Sequence, residues 1–317
     1  MKIAQYLKGP RGVQKQAIVF SAFAKAFGKS LIAGTPDFGV EPVPGCIRFW
    51  AKEVHLYLEP DIRLQIEDLF GNLIVRDPGR PFAPEAKGDY DLRVEGGKIF
   101  LDAESLSHLL NRYLLPGTMI EKISIAFEGQ TMKAEARINF SHVNLPISLE
   151  SEISLSPEGR IALRTKKLSS PNFLLSGLLR FFPVEIARVL KLPEGAPLSV
   201  HGDTLFVDAE GIIPCPKVFG CLKAVELENG QLGLTYAGKV PKPPLLEPAP
   251  HYLMCVGHEV EIGKILLRDA RLQVIQADPE KKHLDFSLES YHRQLIEGIA
   301  RLRPDEALLV SIPNLRE

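Results

Sequence analysis

Residues 97–165 read GKIFLDAESLSHLLNRYLLPGTMIEKISIAFEGQTMKAEARINFSHVNLPISLESEISLSPEGRIALRT, and the periods inside this stretch decide the fold. Lys98 to Leu101 make a strand. Asp102 comes next at the position of a helix N-cap, where a short carboxylate accepts from the unpaired amides of the first turn. Leu106, Leu109, Leu110, Tyr113 and Leu114 then recur at the spacing of one helical face, and Pro116-Gly117 stops the helix. Beyond it the period falls to that of a strand. Ile123, Ile125 and Phe127 alternate with polar or small residues; Met132, Ala134, Ala136, Ile138 and Phe140 alternate with Lys133, Glu135, Arg137 and Asn139. Val143, Leu145, Ile147, Leu149, Ile153 and Leu155 continue the pattern to the Pro157-Glu158-Gly159 turn, after which Ile161 and Leu163 resume it. One oily and one wet face per strand predicts an antiparallel meander lying on something apolar.

Such a face needs a cover, supplied either by helices or by a bound hydrophobic molecule. Upstream, residues 12–33 form an amphipathic pattern, with Val13, Ala17, Phe20, Ala24 and Phe27 on one stripe and Ile18 and Phe23 widening it. Basic residues flank the stripe, so this helix either packs on the sheet or lies on a membrane surface through Phe20, Phe23 and Phe27 with Lys15, Lys25 and Lys29. Strands are expected around Ile47 to Phe49 and Val54 to Leu58. Tyr90, Leu92 and Val94 are read as turning through Gly96-Gly97 into Ile99 and Leu101 as a hairpin.

Downstream, Asn172 to Phe182 is apolar nearly all round, which marks a buried or lipid-facing helix too short to span a bilayer. Strands return at Leu198 to Asp208, Ile212 to Pro214, Leu222 to Leu227 and Leu232 to Tyr236. The proline-rich stretch Lys239 to Pro250 is a linker or a surface strap. Next come strands around Val260 to Ile262, Ile265 to Leu267, Leu272 to Ile275 and Leu284 to Leu288, then a helix from Ser290 to Leu302 and a strand from Leu308 to Ile312. The expected division is 1–88 (helix and entry strands), 89–240 (helix plus meander) and 241–317 (strap, strands and helix).

With 317 residues, 45% of them hydrophobic, the chain can bury a sizeable core, and a net charge of −1 offers no general attraction to nucleic acid. Cys46, Cys215, Cys221 and Cys255 fit neither a metal-binding spacing nor a dense disulfide framework. Lys25 and Lys29 interrupt the apolar run that a leader or a spanning helix would need, so the expected location is cytoplasmic, peripheral on a membrane if the N-terminal helix touches one, and the envelope only if a leader is missing. The chain carries no nucleophile elbow, phosphate-binding glycine loop or dinucleotide fingerprint. His201 with Asp203 is the least implausible acid/base pair, and Asp278, His283 and Asp285 read as a capped loop. No catalytic residue, metal ligand or cofactor is assigned.

The strand-to-helix step from Leu101 to Leu110, the alternating strands to Leu155, the Glu158 to Ile161 turn and the strand-turn-strand phrase from Ala224 to Leu232 are similar to the tubular lipid-binding superfamily, and within it to bacterial LmeA-like envelope proteins. The similarity spans residues 90–238 and rests on alternation more than on rare residues. It implies an α+β fold, a long curled antiparallel sheet around one or two helices, with an apolar tunnel for acyl chains and no catalytic centre. The residues expected to line the tunnel are Ile125, Phe127, Met132, Ala134, Ile138, Phe140, Leu145, Ile147 and Leu149 on the meander, and Phe173, Leu174, Leu178, Phe181 and Phe182 on the apolar helix. The expected partner is a phospholipid or other hydrophobic small molecule, with an anionic membrane surface as an open second partner and no nucleic acid. A scaffold whose core is fully packed is the alternative.

Overall fold

The computed structural model describes residues 45–118, 120–140, 143–170, 198–213 and 215–315. These residues build an α+β protein dominated by two large sheets, one of eleven strands and one of six.

The larger sheet starts with the hairpin of β1 (Cys46–Glu59) and β2 (Ile62–Val75), and β3 (Tyr90–Asp102) pairs antiparallel with β2. The chain then leaves for the smaller sheet, a meander of β4 (Ile120–Glu128), β5 (Thr131–Phe140), β6 (Val143–Leu155) and β7 (Ile161–Ser169). A hairpin of β8 (Leu198–His201) and β9 (Thr204–Val207) completes it through β7. The return runs through β10 (Lys217–Phe219), parallel to β3, and the hairpin of β11 (Leu222–Glu228) and β12 (Gln231–Ala237); β10 and β12 both pair with β3 along the edge opposite β2. Finally β13 (Tyr252–Ile262), β14 (Ile265–Gln276), β15 (Leu284–Ser287), β16 (Ile299–Leu302) and β17 (Leu308–Ile312) extend the larger sheet beyond β1. Strands from all three sequence segments therefore hydrogen-bond within one sheet, and the residues after Pro241 complete it.

The alternation expected of the meander appears as register: Ile125 stands opposite Ala134, Ala134 opposite Leu149, and Leu149 opposite Leu168. Between the sheets lies α1 (Ala103–Leu109), continued by a π-helical turn, Leu110–Leu114. Asp102 caps α1 as its sequence position requires. Its Oδ1 accepts from Ser105 N–H at 2.7 Å while Oδ2 takes Arg63 Nη2 at 2.8 Å. Burial alone would raise this carboxyl, but the Ser105 and Arg63 bonds outweigh it and hold it below its ordinary value. Leu106 and Leu109 are buried, each contributing about 2 kcal/mol.

Four local expectations change. The helical face stops at Leu109: the π-turn rotates the next five residues off that face, and Tyr113 is exposed. Gly96-Gly97 is no turn but the middle of β3. Gly97, at φ +120°, absorbs the irregular pairing with β2, and a Cβ there would sit 2.2 Å from the Asp68 carbonyl oxygen. Residues around Ile212 form a single helical turn, α2 (Ala209–Ile212), in place of a strand. The last helix, α3 (Tyr291–Glu297), is half the expected length, because residues from Ile299 pair with β17.

The proline-rich stretch is a strap. Val240, Leu245, Leu246 and Ala249 pack on a cluster of Trp50, Phe70, Tyr252 and Met254, and Trp50 Nε1 donates to the Pro241 carbonyl at 3.1 Å. Beneath it the fully buried Gln273 accepts from the Leu246 and Glu247 amides at 2.6 and 3.0 Å and donates to the Glu247 carbonyl at 2.8 Å. A proline-rich segment has few amides to pair with a strand, so one side-chain amide does that work.

Candidate functional site

One face of the six-stranded sheet carries the expected lining residues as cross-strand rows. Ile123 is opposite Ala136 and Ala136 opposite Ile147; the next row is Ile125, Ala134, Leu149 and Leu168; the next is Phe127, Met132, Ser151 and Thr165. Ile125, Met132, Ala134 and Ala136 are buried, while Phe127, Ile147 and Leu149 are half-buried. Ile138, Phe140 and Leu145 stand in β5 and β6 at the far end, with Ile138 opposite Leu145. Phe173, Leu174, Leu178, Phe181 and Phe182 lie outside the described residues, as do Lys15, Phe20, Phe23, Lys25, Phe27 and Lys29.

Two residues of this face were not singled out by sequence. Ser151 and Thr165 sit opposite one another, and among the described residues neither hydroxyl has a hydrogen-bond partner although both oxygens are buried. The signal was present in β6, where Ile147, Leu149, Ile153 and Leu155 share a parity that Ser151 interrupts.

β4 is an edge strand of this sheet, and α1 closes its edge. Ser107 Oγ accepts from Ile125 N–H at 2.8 Å. Asn111 Oδ1 accepts from Ile123 N–H at 2.8 Å, and its Nδ2 donates to the Ile123 carbonyl at 2.7 Å. Residues four apart on the helical turns thus serve backbone groups two apart on the strand. The crease beside this contact is an open cleft of about 700 Å³, bordered by Ala103, Glu104, His108, Glu121 and Lys122 and reaching Ile123 and Ile125. That volume falls among small-molecule sites, roughly 300–1,000 Å³. Of its charged bordering residues, His108 has Nδ1 3.2 Å from Asp61 Oδ2, and Asp61 and Glu59 both pair with Arg112.

His201 and Asp203 do not form an acid/base pair. Gly202, at φ +61°, turns the chain between them; Asp203 accepts from Thr204 Oγ1 at 2.9 Å and faces Arg164, while the His201 ring lies against Phe206. His283 and Asp285 belong instead to a larger cluster. β1 pairs with β13 up to Lys52 and with β15 from Val54, and Glu53 sits at the change of partner with φ +48°. His251 and His283 immediately precede β13 and β15, so the junction gathers them with His55, Glu53 and Asp285. The His55 and His283 rings stack at 4.2 Å, with His251 6.5 Å from His283. His55 Nδ1 is 3.0 Å from Asp285 Oδ1, and His283 Nδ1 lies 3.4 Å from Glu53 with no hydrogen-bond partner among the described residues. Burial and the adjacent His55 hold His283 below the ordinary histidine value, against the opposing pull of Glu53. Among the described residues no group of three or more histidine, cysteine or acidic side chains is arranged to hold a metal ion.

All four cysteines are free, and burial pushes the Cys255 thiol up to about 12. No described helix is long and apolar enough to cross a membrane. Compared with protein-family models, with curated proteins and with solved structures, the chain matches none.

Proposed function

We propose that the protein is a non-enzymatic binder of a hydrophobic ligand, a phospholipid acyl chain, held on the apolar face of the six-stranded sheet and entering by the cleft between α1 and β4. The observation that carries this reading is the continuous apolar row Ile125, Ala134, Leu149 and Leu168, which begins at the cleft and crosses four strands. A row of that length suits an extended chain, and burial at about 0.8 kcal/mol per methylene supplies affinity without polar recognition.

The test is native mass spectrometry of the purified protein, with extraction and identification of any lipid released, and then exchange into a second lipid. Near-stoichiometric lipid is expected, and Ala134→Phe, which fills the middle of the row, is expected to remove uptake while the protein stays folded. A packed scaffold without ligand is the second reading. It is favoured by the closure of Ala134 and Ser151, which are only 3% and 0% exposed. A clean unliganded mass with no uptake from added lipid would establish it.

A further inference from the structure

The orphaned hydroxyls give the apolar face a polar point. Ser151 is fully buried, Thr165 faces it across β6 and β7, and among the described residues both hydroxyl oxygens lack a partner. Around them the face is apolar: Met132 is opposite Ser151 on β5, Leu149 and Leu168 form the row before, and Ile153 and Leu163 the row after. An unsatisfied buried hydroxyl costs free energy, and replacing both by apolar groups of the same shape would remove that cost. Side chains directly opposite on antiparallel strands stand about 5 Å apart at Cβ, so two hydroxyl donors there can converge on a single oxygen. A carbonyl oxygen, with two lone pairs in one plane, accepts both.

We propose that Ser151 and Thr165 together bind the carbonyl oxygen of the ligand's acyl group, so that the site selects acyl lipids over alkyl lipids of the same length. This rests on the lipid-binding reading above and adds to it the chemical class of the ligand and its depth in the site: the carbonyl lies at the third row and the hydrocarbon runs along the rows before it. Free fatty acids and ester phospholipids share this oxygen, whereas a diether phospholipid has the same chains and headgroup without it.

The experiment compares binding of palmitate, a dipalmitoyl ester phospholipid and its dihexadecyl diether analogue to the full chain and to Ser151→Ala/Thr165→Val. Wild type is expected to prefer the ester over the diether by about tenfold, as two neutral hydrogen bonds allow. The double variant is expected to bind both equally, with thermal stability of the empty protein unchanged or raised. Tighter binding of palmitate than of the ester phospholipid assigns the site to a carboxylate, and the reverse assigns it to an ester. Lipid uptake with no ester preference, or a preference that survives in the variant, overturns the proposal, since the hydroxyls then hold only water. If wild type takes up none of the three, the lipid-binding reading itself fails.

Discussion

Asn111 stands to Ile123 as a neighbouring strand would, accepting from its amide and donating to its carbonyl, at 2.8 and 2.7 Å. The same Nδ2 also donates to the Ser107 carbonyl one turn back on the helix, so the amide plane is fixed from both sides. Asn111→Leu keeps the volume and removes all of these bonds. It is expected to cost about 2–3 kcal/mol in urea denaturation. Hydrogen exchange at Ile123 should accelerate while exchange at the β2–β3 ladder does not. Unchanged protection at Ile123 would mean that the helix does not hold this edge.

Gly97 is expected to be intolerant of any side chain. Its φ of +120° strains other residues, and an added Cβ would meet the Asp68 backbone at 2.2 Å. The atoms it would meet, in Asp68 and Leu69, are all backbone and cannot rotate away as a side chain can. Gly97→Ala should therefore cost roughly 2–4 kcal/mol, measured by the midpoint of chemical unfolding.

Trp50 is the only tryptophan, so its emission reports on the strap that covers it. Gln273→Ala leaves the Leu246 and Glu247 amides and the Glu247 carbonyl without their partner. The expected outcome is a red-shifted Trp50 emission under native conditions and a stability loss of about 2–4 kcal/mol from the buried unpaired groups. A variant with unshifted emission would show that the apolar contacts of Leu245 and Leu246 hold the strap by themselves.

His283 sets a pH dependence whose sign is given by its direction of shift. Its folded value lies below its unfolded one, so the unfolded chain takes up the proton first as the pH falls, and stability is lost from about pH 6.5 downward. His283→Asn should flatten that fall below about pH 6.5. Parallel stability curves for wild type and variant would remove His283 as the cause.

Much of the candidate site was legible in the chain because strand alternation is local. The parity of Ile125, Met132 and Ala134 names a face without any knowledge of what lies opposite, and the Asp102 cap needs only its own first turn. Glu53 is different. Its left-handed backbone has a reason only once β13 ends and β15 begins beside it, and those strands come some 200 residues later in the chain. The histidine cluster was equally out of reach, since His55, His251 and His283 share no sequence neighbourhood.

By itself, then, the sequence determined the meander, its apolar face and the short capped helix, all properties of period, turn residues and composition acting over a few residues. Tertiary structure alone decided that the strands before residue 102 and after residue 250 share one sheet, that Gly97 passes straight through a strand, and that Ser107 and Asn111 close the edge of β4. The reason is physical. A backbone amide must find a partner wherever the fold puts it, and which group answers depends on chain that is distant in sequence and near in space.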